Sequence, residues 1–92
     1  MIVRIMGEGQ YDVPATFLDT LNTLDDEVES AVNSGDQQAF AASFAALLAA
    51  VRTEGATVAD DALVDSELVL PPADASVDEV AQLLGDEGLI PG

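Results

Sequence analysis

Two apolar stripes at helical spacing, parted by a stop-and-start signal, constrain this chain more than anything else in it. Phe17, Leu21, Leu24, Val28 and Ala31 step by 4, 3, 4 and 3, and Leu18 and Val32 widen the stripe. That recurrence predicts one buried face of a helix. Pro14 suits its first turn, because proline has no N–H to lose there. Asn33-Ser34-Gly35 should end it, with Gly35 just past the last turn. Asp19, Asp25, Asp26, Glu27 and Glu29 lie between the apolar positions and are placed mostly on the opposite face. Phe40, Phe44, Leu47 and Val51 repeat the steps 4, 3 and 4, joined by Leu48. Asp36 is a good N-cap for this second helix, and Gly55 should close it. Alanines 39, 41, 42, 45, 46, 49 and 50 fill most of the rest. Alanine favours helix, and its small side chain lets two helices approach closely. The turn at Ser34-Gly35-Asp36 is short enough to make the pair an antiparallel helical hairpin.

The flanks read as strand and short helix. Ile2 to Met6 is β-branched and short, Gly7-Glu8-Gly9 is turn chemistry, and Gln10 to Val13 alternates polar and apolar residues. These predict an N-terminal β-hairpin. Arg4 is placed near Asp12 across the hairpin, where an ion pair would form; an anion-binding Arg4 would have no second cation to help it. Residues 56–75 are less legible. Leu68-Val69-Leu70 is either a short third strand on the hairpin or an extended segment plugging the helical pair. Pro71 holds Leu70 extended in both cases. Ser76-Val77-Asp78-Glu79 fits a capping box, so a short C-terminal helix should run to about Leu84. Gly85-Asp86-Glu87-Gly88 breaks it, and the apolar tail Leu89-Ile90-Pro91-Gly92 is expected to dock on the core. The fold class is therefore α+β, in a single domain over residues 1–92, without internal repeats.

Composition removes most chemistry. The chain has 92 residues, 18 acids and 2 arginines, a net charge of −16, and no histidine, cysteine or lysine. Disulfides, thiolate metal sites and cysteine nucleophiles are excluded. So is a histidine base. Nucleic-acid binders lay Lys and Arg along phosphates, which this chain cannot do. Direct docking on anionic lipid needs basic clusters and is equally disfavoured. No stretch approaches the ~20 apolar residues of a membrane span. Met1 to Met6 is too short for a signal peptide. The acidity is either a solubility coat for a salty cytoplasm or a surface for a basic partner. The scatter of acids along the whole length, and aspartate outnumbering glutamate, favour the coat.

The remaining motifs carry little. Gly7-Glu8-Gly9 lacks both the third glycine of a dinucleotide loop and the Lys-Ser/Thr of a P-loop. Asp60, Asp61, Asp65 and Glu67 do not reproduce the spacing of a calcium loop. Asp25/Asp26 and Asp86/Glu87 are sequence neighbours, and adjacent helical residues do not face each other. The serines have no histidine or lysine to activate them. No enzymatic activity, metal or cofactor is expected. The helical stripes serve the hairpin core or a seam for a partner helix. Leu18 and Leu48 are placed on opposite flanks, where they would continue an apolar surface outward for dimerisation or helix capture.

Three separated segments carry a resemblance. They are Met1-Ile2-Val3-Arg4-Ile5-Met6-Gly7-Glu8-Gly9-Gln10-Tyr11, Leu68-Val69-Leu70-Pro71-Pro72-Ala73-Asp74-Ala75-Ser76 and Asp86-Glu87-Gly88-Leu89-Ile90-Pro91-Gly92. In that order the chain resembles the PspA-associated protein family, small proteins found beside phage shock protein A relatives in archaea and actinobacteria. Pro14 departs from the pattern, where an acidic or small residue is expected. The resemblance implies a cytoplasmic accessory in envelope stress whose partner is a PspA-type coiled-coil protein. It offers no catalytic residues to carry over. At a charge of −16, such a protein would reach a membrane only through its partner. In a salty cytoplasm charge steering is screened, so contact would rest on apolar burial. The candidate contact residues are Val69, Leu70, Pro71 and Pro72, with Leu89, Ile90 and Pro91. A self-associating homodimer without a dedicated partner is the alternative.

Overall fold

The computed structural model describes residues 1–59 and 64–83. The expectations for Asp60 and Asp61, and for the stretch from Leu84 to Gly92, lie outside the described residues.

The N-terminal hairpin forms as predicted. Strand β1 (Ile2–Ile5) pairs antiparallel with β2 (Gly9–Asp12), with Arg4 opposite Gln10 and Ile2 opposite Asp12. That register corrects the expected Arg4–Asp12 ion pair. Asp12 sits two pairs further along and receives the N-terminal amine at 3.4 Å instead. Arg4 is exposed and makes no ion pair among the described residues.

Pro14 stands just before a single 3₁₀ turn (Ala15–Phe17), which leads into α1 (Leu18–Ser34). The helix ends at Gly35, whose φ of 71° is the left-handed conformation that glycine adopts without a Cβ penalty. Asp36 then caps α2 (Gln37–Glu54), its carboxylate accepting the Ala39 N–H at 3.1 Å. The two helices pack as the predicted antiparallel pair. Gly55 ends α2 with an extended backbone, so its role is spatial. A Cβ there would meet the Val51 carbonyl oxygen at 2.7 Å and the Tyr11 Cβ at 2.8 Å.

Two strands complete the sheet. β3 (Ala56–Thr57) pairs antiparallel with β2, and β4 (Leu68–Leu70) pairs parallel with β1, giving the order β3-β2-β1-β4. Leu68–Leu70 is thus a strand and not a plug. Sequence reading missed β3, which is two residues long and half alanine, a weak strand former. α3 (Val77–Leu83) opens on the predicted capping box. The Glu79 N–H donates to Ser76 Oγ at 3.2 Å, and the Ser76 N–H to Glu79 Oε1 at 3.4 Å.

The core lies between one sheet face and the helices. Val3, Ile5, Val13 and Leu70 come from the sheet side, Leu21, Val28 and Ala31 from α1, and Phe40, Phe44, Leu47, Leu48 and Val51 from α2. Val80 of α3 joins them. The rings of Phe40 and Phe44 stack with centroids 5.3 Å apart. Two expectations for the helices are corrected here. Leu48 is 1% exposed and Leu18 packs against the core, so neither extends a surface outward. Asp25 is 1% exposed, one turn from Leu21 and three residues from Val28, which puts it on the buried face. It is engaged there, and no buried side-chain nitrogen or oxygen among the described residues lacks a hydrogen-bond partner.

Candidate functional site

Strand alternation decides which of the nominated contact residues a partner can reach. Successive side chains of a strand point to opposite faces. Val3 and Ile5 point to the helices, as do Leu68 and Leu70, their register partners on β4. Leu70 is fully buried, Pro71 is buried and Pro72 is half-buried. Val69 points the other way and is 53% exposed. Leu89, Ile90 and Pro91 lie outside the described residues. Of the segment Val69-Leu70-Pro71-Pro72, the structure therefore puts Val69 at the surface and Leu70 in the core.

The helix-free face of the sheet has a definite layout. Gln10, Arg4 and Val69 form one row across β2, β1 and β4, because Arg4 is the register partner of both others. Met6 continues β1 by one residue; its N–H donates to the Leu70 carbonyl at 3.0 Å. By alternation its side chain lies on the same face as Arg4, and it is 47% exposed. The chain leading into β4 passes over Gln10, whose Nε2 donates to the Val64 carbonyl at 3.1 Å and to Ser66 Oγ at 2.8 Å. That contact buries Gln10 and leaves Val64 42% exposed. At the start of β4, Glu67 returns to β1: its N–H donates to the Ile2 carbonyl and its carboxylate accepts the Ile2 N–H. Sequence reading did not find Met6 or Val64. The signal for Met6 was present in the two-residue period of the strand; the signal for Val64 was not, because only the Gln10 contact places it.

The second arginine is committed elsewhere. Arg52, in the last turn of α2, clamps Glu8 of the hairpin turn with two hydrogen bonds, one of them Nε to Oε2 at 3.1 Å. The Glu8 carboxylate raises the guanidinium above its ordinary value, first through the hydrogen bond and then through charge. A raised cation contributes stability that is fully present below its unfolded pKa. This pair is therefore lost through Arg52 only at extreme alkaline pH.

The outward faces of the helices differ sharply. On α1, Asp19, Asp26 and Glu27 are exposed. On α2, no charged residue occurs between Gln37 and Val51, and Ala41, Ala42, Ala45, Ala46 and Ala49 are all exposed. These five face solvent, whereas Ala50 packs against the core. Among the described residues no group of three or more Asp or Glu is placed to hold a metal ion. Among the same residues no helix is long and apolar enough to cross a membrane.

Fold and surface together define a small α+β domain with one sheet face packed on helices and the other carrying exposed apolar side chains. The chain belongs to the PspA-associated protein family, whose model matches residues 1–92. No curated protein and no solved structure matches it. The family name points to an accessory role alongside PspA.

Proposed function

We propose that this chain is a non-enzymatic adaptor that binds a PspA-type coiled-coil protein in the cytoplasm and modulates its assembly. The observation that carries this reading is the family match over the whole of residues 1–92. Composition supports it, since the chain has no cysteine nucleophile and no histidine or lysine to activate a serine. With a net charge of −16 the adaptor meets a membrane only through that partner. Val69 is the accessible member of its contact segment, and Leu89, Ile90 and Pro91 are further contact residues under the same proposal.

Sedimentation of the full chain, alone and mixed with a purified PspA-family protein, tests the reading in dilute and then molar KCl. A complex that survives molar salt is the expected result and places the energy in apolar contacts. No complex at either salt would sink the adaptor reading. One observation favours a second reading. The charge-free outer face of α2 is where two copies could meet without opposing their acids, so a homodimer through the helices is the alternative. A clean dimer of the chain alone, unaffected by the PspA-family protein, would establish it.

A further inference from the structure

We propose that the helix-free face of the sheet is where a partner's amphipathic helix docks, with Met6, Val64 and Val69 as the apolar contact and Arg4 as the cationic anchor. This rests on the adaptor reading and names the surface that reading requires.

Three observations converge on this face. First, Met6, Val64 and Val69 are the exposed large hydrophobic residues among those described; Met6 and Val69 lie here by alternation, and Val64 lies on the segment held over Gln10 of this face. Scattered singly they would need no explanation; gathered on one face they mark a contact. Second, among the described residues the sheet has helices on one face alone, and packing a helix on the other is an ordinary layer arrangement. A sheet face left to water normally alternates to polar residues, yet this one carries Val69 beside Arg4 in its central row. Third, Arg4 sits exposed in that row and makes no ion pair among the described residues, in a chain with 18 acids. The other arginine is held by Glu8.

Charge selects the occupant. Asp12, Asp65 and Glu67 are exposed around the Ile2 end of the face. Two copies packed with their Ile2 ends together would bring these acids together, with Arg4 and an N-terminal ammonium already spent on Asp12 from each to offset them. An anionic lipid surface would meet three acids against Arg4 and an N-terminal ammonium already paired with Asp12. A partner helix fits when its apolar stripe covers Met6, Val64 and Val69. It would present an acidic side chain to Arg4 and basic side chains to Asp12, Asp65 and Glu67.

The test is titration of the full chain with a purified PspA-family protein, in dilute and molar KCl. The variants are Met6→Asp/Val69→Asp, Arg4→Glu and, on the outer face of α2, Ala45→Asp. Circular dichroism and a thermal melt establish that each is folded. The expected result is a loss of about tenfold or more for the double variant at both salts, the scale of losing two buried apolar contacts. Arg4→Glu should weaken binding in dilute salt and lose most of its effect in molar KCl, as an exposed charge pair does. Ala45→Asp should bind like the parent. If the double variant fails to fold, Arg4→Glu and Val69→Asp alone decide the matter, since both positions are exposed. Folded variants on the sheet face that bind like the parent overturn this inference and leave the adaptor reading intact. Loss of binding on Ala45→Asp instead also overturns it, by moving the contact to α2. A parent chain that does not bind at all overturns the adaptor reading, and this inference with it.

Discussion

Helices α1 and α2 bury the same pattern and show water opposite ones. Inward, Leu21 and Val28 of α1 meet Phe44, Leu47, Leu48 and Val51 of α2 in one core. Outward, α1 carries Asp19, Asp26 and Glu27, whereas α2 shows alanine and no charge from Gln37 to Val51. The inner faces are fixed by hydrophobic burial, so they must agree. The outer faces are free of that demand and record something else. The α2 helix is sustained by alanine propensity. The α1 helix carries acids that repel one another and the rest of a chain at −16, so it gains more when salt screens them.

The largest expected effect tests whether the inner faces are equivalent. Leu21→Ala and Leu47→Ala each remove a fully buried leucine and should each cost about 2–5 kcal/mol. Urea denaturation in molar KCl measures both; a cost under about 1 kcal/mol at either site would break the symmetry argued here.

The helix ends come next, because their glycines serve different ends. Gly55→Ala should cost about 1–3 kcal/mol, since its Cβ would strike the Val51 carbonyl and the Tyr11 Cβ. Gly35→Ala should cost about 1–2 kcal/mol from conformation alone, because nothing lies within 4 Å of the added Cβ. A crystal structure of each variant separates the two causes. The Gly55 variant should show displaced neighbours, and the Gly35 variant an altered turn.

Caps give a smaller difference. Asp36→Ala should cost about 1 kcal/mol by orphaning the Ala39 N–H. At the start of α1 the capping position is Phe17, which makes no side-chain cap, so no equivalent loss exists there. Amide exchange at the first turn of α2 reports it directly, and unchanged protection at Ala39 would contradict the assignment.

The smallest effect sharpens the comparison most. Asp26→Asn on the exposed face of α1 should stabilise the fold by up to about 0.5 kcal/mol in dilute salt and have no effect in molar KCl. Ala42→Asp on α2 should do the reverse in dilute salt. Equal salt responses for the two helices would show that the acid coat acts on the molecule as a whole and not through α1.

Legibility followed the range of the interactions. Local signals read true: the Asp36 cap, the left-handed Gly35, the Ser76–Glu79 box and the stripe from Phe40 to Val51 all act within a turn or two of helix. Long-range pairing did not. The Arg4–Asp12 pair failed because hairpin register set Arg4 against Gln10, two residues away. Asp25 was misplaced because the buried face through Leu21 and Val28 is wide enough to take in residue 25 as well as Leu24, which packs against the core as expected. Leu70 was nominated for a partner and is core, while Val69 beside it is surface; a one-residue shift in a strand exchanges the faces.

By itself, the sequence determined that two amphipathic helices must pair, where they begin and end, that a hairpin precedes them, and that histidine, cysteine and lysine chemistry is absent. These follow from residue type and spacing, which act locally. Only the tertiary structure decided that β4 runs parallel beside β1, that β3 closes the other edge, and that Gln10 is covered by the chain at Val64 and Ser66. It also decided that Arg4, Met6, Val64 and Val69 share one open face. Those contacts join residues up to 65 positions apart along the chain, as between Val69 and Arg4, and no local rule can rank such pairings before the core has formed.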